Sequence, residues 1–253
     1  MHPISADDIA RIPLFSAVER DFLESIARNA KRLPCQARDR IVEEGDQAGA
    51  LFLIAAGYFK AVTISEGGKE TLLSIMGPGE VFGELSILDG QTRSATVTAL
   101  QVGALVIIEQ RQLLDLLHSS PVLAIQLLKG LCLRVRDLTR RCGELGSMAV
   151  PGRLAQAILR LAELHGHSEG QLVKIPVRIS QQDLGALAGA TRESVNKQIG
   201  AWQIARILCV EDGYLVLNDL AALRLLVLDD QLEREPRAVR QSGGARDKLP
   251  NRK

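Results

Sequence analysis

Aromatic side chains are scarce, with five Phe, two Tyr and one Trp in 253 residues. That scarcity argues against a surface that stacks bases on aromatic platforms, although a helix laid in a groove needs none. Charge of one sign is also lacking: 31 Lys and Arg face 30 Asp and Glu, a formal net charge of +1. No whole-molecule field draws a polyanion, so any such partner must be met locally. The four cysteines, Cys35, Cys132, Cys142 and Cys209, form no CxxC pair, which speaks against zinc or iron–sulfur ligation and for free thiols. No apolar run approaches the roughly 18–20 residues of a membrane span. The N-terminus carries Asp7 and Asp8 and no apolar signal core, so the expected compartment is the cytoplasm. No Ser/His/Asp set, metal-ligand spacing or carboxylate pair stands out, and neither catalysis nor a metal is expected. His165 and His167 flank Gly166 and are expected in a surface loop.

What is present is an ordinary globular balance, 46% hydrophobic and 24% charged, in a chain long enough for two domains. From Ile12 to about Leu105, short apolar runs alternate with glycine turns such as Gly67-Gly68, Gly77-Pro78-Gly79 and Asp89-Gly90. This spacing predicts an all-β sandwich or barrel, with strands at Ala50 to Ile54, Phe59 to Ile64 and Thr71 to Met76. A brief helix with Val18, Phe22 and Ile26 on one face is expected before them. Near Glu109 the period turns helical. After Pro121, Leu128, Leu131, Val135, Leu138, Cys142, Leu145 and Ala149 recur by threes and fours, the seam of a left-handed coiled coil and thus of a homodimer through residues 128–149. A helix packed on its own domain is the alternative, since Leu127 and Leu133 widen the apolar face. Pro151-Gly152 reads as a hinge, with a new helix from Arg153. Beyond it lie a helix from Gln181, a break at Gly189-Ala190, a second helix from Thr191, and two short β runs around Asp212-Gly213. That order suggests a winged helix-turn-helix. The last twenty residues read as a disordered basic tail.

Two segments carry chemistry. The first is Phe82-Gly83-Glu84-Leu85-Ser86, six residues, then Arg93-Ser94-Ala95-Thr96-Val97. Glycine lets the main chain approach a ligand, Arg93 offers a fork to an anion, and Ser94 adds a hydroxyl. Glu84 cannot bind an anion but can accept from a sugar hydroxyl. The residue types alone equally allow Glu84 and Arg93 to form an ion pair. The second runs from Ile179 to Ile199: Ser180 and Thr191 can cap two helices, Gly189 permits the turn, and Leu184, Leu187, Val195 and Ile199 face inward. Thr191, Arg192, Glu193, Asn196 and Lys197 then form an outer face suited to major-groove contacts. Against this, residues 151 to 232 hold eight Lys and Arg and nine Asp and Glu, so affinity must come from placed contacts.

The first segment resembles the phosphate-binding cassette of cyclic-nucleotide-binding domains, and residues 11 to 232 resemble the CRP/FNR family of bacterial transcription regulators. The resemblance implies an α+β protein. It would have an N-terminal antiparallel β-roll (jelly roll, 1–120), a long dimerisation helix and hinge (121–150), a C-terminal winged helix-turn-helix (151–232) and a tail (233–253). It implies cyclic AMP as effector; the alternatives are a family member responding to cyclic GMP or another effector, or one active without ligand. Glu84 would accept from the ribose 2′-hydroxyl beside the Gly83 and Leu85 main chain, Arg93 and Ser94 would hold the phosphate, Arg134 would reach Glu84, and Thr139 would face the base. The implied partners are double-stranded DNA, a second copy of the chain and RNA polymerase. A haem-binding relative would call on His2, His118 or Cys35.

Overall fold

The computed structural model describes residues 4–68 and 70–234; the tail expected at 233–253 falls almost wholly outside them. The chain opens with α1 (Ala6–Ala10), whose Ser5 cap and Asp8 bond reciprocally, a 3-10 turn at Pro13–Phe15 and α2 (Arg20–Asn29). The expected face is met in part, since Val18, Phe22 and Ile26 all pack against one apolar core. Val18 precedes α2, and Leu23 and Ile26 are the residues α2 buries.

Eight strands follow: β1 (Lys31–Cys35), β2 (Arg40–Val42), β3 (Ala50–Ala56), β4 (Phe59–Ile64), β5 (Glu70–Met76), β6 (Val81–Phe82), β7 (Thr96–Ala99) and β8 (Gly103–Glu109), with the short α3 (Leu85–Leu88) after β6. They form two antiparallel sheets, in the orders β1-β8-β3-β6 and β2-β7-β4-β5. The continuous apolar run of β3 follows from burial on both faces. Phe52 and Ile54 point between the sheets with Phe59, Phe82, Val97 and Leu105. Leu51 and Leu53 point outward beneath Ile9, Phe15, Ile26, Leu113 and Leu123.

Two helices leave the roll: α4 (Gln110–Ser119) and α5 (Pro121–Ser147), the latter capped by Ser120 with proline in its first turn. Leu123 and Leu127 anchor the start of α5 in the roll's outer core. Downstream, Leu128, Val135, Leu138 and Leu145 are all exposed, as is Cys142, while Leu131 and Ala149 are half-buried. Leu133 is also exposed, so only Leu127 of the two face-widening leucines packs on this chain.

The break after α5 falls at Met148-Ala149, and α6 (Val150–His165) already contains Pro151 and Gly152 in its first turn. Proline is tolerated there because the first-turn N–H groups have no helical acceptor; the break therefore lies three residues earlier than expected. His165 is not in a surface loop. It ends α6, buried, and His167 opens β9 (His167–Glu169). Next come β10 (Leu172–Arg178), α7 (Gln181–Ala188), α8 (Arg192–Ile204), β11 (Leu208–Glu211), β12 (Tyr214–Leu217) and α9 (Leu220–Arg234). The wing is a four-stranded sheet, β11-β12-β10-β9, rather than a lone hairpin. Among the described residues no single helix is long and apolar enough to cross a membrane.

Candidate functional site

After β6 the chain turns through Gly83 at φ +90° into α3. A Cβ at Gly83 would lie 2.6 Å from Arg93 Nη1 and 3.1 Å from the Ala50 carbonyl, so only glycine fits the turn beside the arginine. Arg93 is 5% exposed and Glu84 1%. The Arg93 guanidinium donates through Nη1 to the Gly83 carbonyl at 2.7 Å and Ser86 Oγ at 3.0 Å, and through Nη2 to the Ala50 carbonyl at 2.8 Å. It also lies over the Phe52 ring, 5.6 Å from its centroid. Burial pulls Arg93 below its ordinary value, against the opposing charges of Glu84 and Asp46. With three N–H spent on neutral acceptors, two of its five have no acceptor among the described residues.

Glu84 and Arg93 form no ion pair. Arg134, reaching across from α5, bonds Glu84 Oε1 and the Val81 carbonyl instead. Glu84 Oε2 is buried and has no hydrogen-bond partner among the described residues. A buried carboxylate oxygen left this way costs on the order of 1–3 kcal/mol or more unless a donor arrives. The donor set matches a cyclic nucleotide chemically: an acceptor short of one hydroxyl sits beside a cation with N–H to spare. Ser94 is exposed next to Arg93, and Leu85 is exposed on α3.

Thr139 is not brought to this cluster. It is exposed and donates to the Val135 carbonyl at 2.9 Å. Five residues along a helix turn by about 140° from Arg134, so Thr139 lies on the far flank of α5. Arg141, seven residues from Arg134, returns to the same face and donates to the Leu72 carbonyl at 2.9 Å and to that of Leu73. Sequence reasoning missed Arg141; its signal was the heptad spacing from Arg134. Of the residues considered for haem, Cys35 is sealed in the sheet core with its thiol towards the Leu33 carbonyl. His118 Nδ1 lies 2.8 Å from the Leu114 carbonyl, and His2 is outside the described residues. No metal-ligand cluster occurs among the described residues.

In the C-terminal unit, Ser180 Oγ accepts from Asp183 N–H at 3.0 Å and Thr191 Oγ1 from Ser194 N–H at 3.2 Å, capping α7 and α8. Gly189 ends α7 in the left-handed conformation at φ +60°, which glycine adopts without strain. Val195 and Ile199 are buried, while Thr191, Arg192, Glu193, Asn196 and Lys197 are exposed together. Asn196 differs from the others, since its Oδ1 accepts from Gln181 Nε2 at 3.0 Å. Arg153, also missed, donates to the Met148, Ala188 and Gly189 carbonyls and ties the α5–α6 junction to the turn between α7 and α8.

Comparison with known proteins matches these two regions to two families. Residues 32–120 match the cyclic nucleotide-binding domain, and residues 152–226 match the Crp-like helix-turn-helix domain. The CRP-like cAMP-activated global transcriptional regulator of Mycobacterium tuberculosis is 30% identical over 83% of this chain and 94% of its own length. The cyclic AMP receptor protein of Thermus thermophilus is 29% identical over 83% and 94%. The structure of FixK2 from Bradyrhizobium japonicum shares the fold, with a TM-score of 0.70, 19% identity, and cover of 78% of this chain and 96% of that one. A buried glutamate–arginine cassette ahead of a capped, outward-facing second helix is thus the signature of this chain, and it belongs to the CRP/FNR family of DNA-binding transcription regulators with a cyclic-nucleotide-binding domain.

Proposed function

We propose that the chain is a homodimeric regulator gated by cyclic AMP, binding a palindromic operator in the cytoplasm and acting through RNA polymerase. The observation that carries the effector reading is Glu84, one oxygen held by Arg134 and the other buried without a donor. A ribose 2′-hydroxyl supplies that donor, beside the Gly83 and Leu85 main chain. Arg93 has two N–H left for an equatorial phosphate oxygen, and Ser94 adds its hydroxyl. Thr139, turned to the far flank of α5, serves the base in the partner subunit's pocket. Cyclic AMP receptors among the relatives support the choice of nucleotide.

The dimer reading rests on the exposed apolar stripe from Leu128 to Leu145, which a second copy of α5 buries as a coiled coil. Two copies of α8 then meet two half-sites about one helical turn apart, roughly 34–36 Å. Calorimetric titration with cyclic AMP and cyclic GMP tests the effector. The expected result is one cyclic AMP per chain, bound more tightly than cyclic GMP, with binding lost in Glu84→Ala. No heat with either nucleotide would overturn the gating. Tighter cyclic GMP would move the reading to that nucleotide.

A further inference from the structure

The β-roll and the helix-turn-helix touch directly, without the long helix between them. Tyr58, Val62, Leu72 and Ile75 are buried in the same apolar cluster as Leu154, Ile158, Leu184 and Trp202. Polar contacts cross the same boundary. Lys60 Nζ, on β4, lies 2.8 Å from Asp183 Oδ1 on α7 and 2.9 Å from Glu70 Oε1 on β5. The two interdomain side chains are only 21% and 10% exposed. Nearby, the His165 ring stands edge-on to Tyr58, 5.3 Å between centroids, with Nε2 3.2 Å from the Ile75 carbonyl.

Asp183 is also part of the α7 cap, its Oδ2 accepting from Ser180 Oγ at 2.6 Å. Lys60 therefore grips the N-terminus of the first helix of the motif, the helix that crosses the DNA backbone in this architecture. Burial pulls the Lys60 ammonium down, but the hydrogen bonds and charges of Asp183 and Glu70 outweigh it and hold the group above its ordinary value. The reading face on α8 stays bare in this arrangement, with Arg192, Glu193, Asn196 and Lys197 exposed. Docking orients the motif without covering it.

Resting on the DNA-binding reading, we propose that Lys60 is a positioning residue for DNA recognition, fixing the helix-turn-helix on the β-roll, through Asp183, at the angle operator binding uses. A dimer that must place two motifs on one duplex loses less freedom when each is already set. The effector domain thereby holds the reading helix at a second point besides the α5–α6 junction.

The test uses full-length protein and a duplex selected by the wild type from random DNA, at fixed salt. Lys60→Met keeps the apolar stem, and Asp183→Asn keeps the bond from Ser180. Each is expected to weaken DNA binding roughly tenfold, with the double variant no worse than either single one, because both remove the same contact. Lys60→Arg should restore most of the affinity. Amide exchange in the free chain gives a readout independent of DNA: Lys60→Met should raise exchange in Leu72–Met76 and Gln181–Ala188 together. Binding by Lys60→Met equal to wild type, or tighter, overturns the proposal, as does unchanged exchange in those two segments. Failure of the wild type to select any sequence would instead defeat the DNA-binding reading, and this proposal with it.

Discussion

Arg93 is held by protein before it can serve a ligand. Its bonds to the Gly83 and Ala50 carbonyls and to Ser86 close the turn of the cassette, and its remaining N–H groups are the ones a phosphate would take. Arg93→Leu should therefore do two things. Nucleotide affinity should fall by several kcal/mol, since a hydrogen bond to a charged group is worth about 1.5–3 kcal/mol. The midpoint of thermal unfolding should also drop, because two half-buried carbonyls lose a donor. Titration and melting of the same sample separate the effects, and full affinity in a folded variant would remove the arginine from the site. Gly83→Ala is predicted to be damaging without touching any charge: its Cβ would press on Arg93 Nη1 at 2.6 Å in a φ of +90°. A cost of about 1–3 kcal/mol is expected for that strain, read by denaturant unfolding.

Elements were legible in the sequence where local chemistry decides them. Ser180, Gly189 and Thr191 are local signals, and they place α7, the turn and α8 within a residue of the observed bounds. β4 was likewise readable from Phe59 to Ile64, because its ends are turns. Two of the readings differ from the structure for physical reasons. Pro151 looks like a break but occupies a first-turn position that needs no N–H. His165 reads as polar, yet it follows Leu154, Ile158 and Leu161 on one face of α6 and is buried with them. The recognition element makes the sharpest prediction. Arg192→Ala should cost about 1–3 kcal/mol and relax the preference for guanine at one base pair, as loss of a bidentate contact does. Lys197→Ala should weaken binding more evenly, because a lysine is a point charge rather than a fork. Selection from random DNA with the wild type and both variants reads the difference. An inverted repeat with guanine opposite Arg192 is the expected site, and a single non-palindromic site would contradict the two-fold reading.

At the scale of the whole molecule, the sequence revealed least. Lys60 and Asp183 lie 123 residues apart, and nothing in either neighbourhood announces the other. The ion pair of Arg160 with Glu144, which joins α6 to α5 at 2.6 Å, is equally silent, because such contacts depend on how finished units meet. The Lys60 contact has a defined pH signature. Its ammonium is held above its ordinary 10.5, so its contribution is full below that value and is lost as pH rises through the raised one. The difference in unfolding midpoint between wild type and Lys60→Met should thus be flat from about pH 7 to about pH 9 and shrink only in stronger alkali; a loss already complete near neutrality would assign the contact to another group. The central claim is that the nucleotide pocket and the DNA-reading helix are energetically one system. Linkage demands that if cyclic AMP tightens operator binding by some factor, operator DNA tightens cyclic AMP binding by the same factor. The decisive measurement is therefore the thermodynamic square: operator affinity with and without saturating cyclic AMP, and cyclic AMP affinity with and without saturating operator, in one buffer at one salt concentration. The account predicts two equal factors, both well above one. Nucleotide binding that leaves operator affinity unchanged would contradict it.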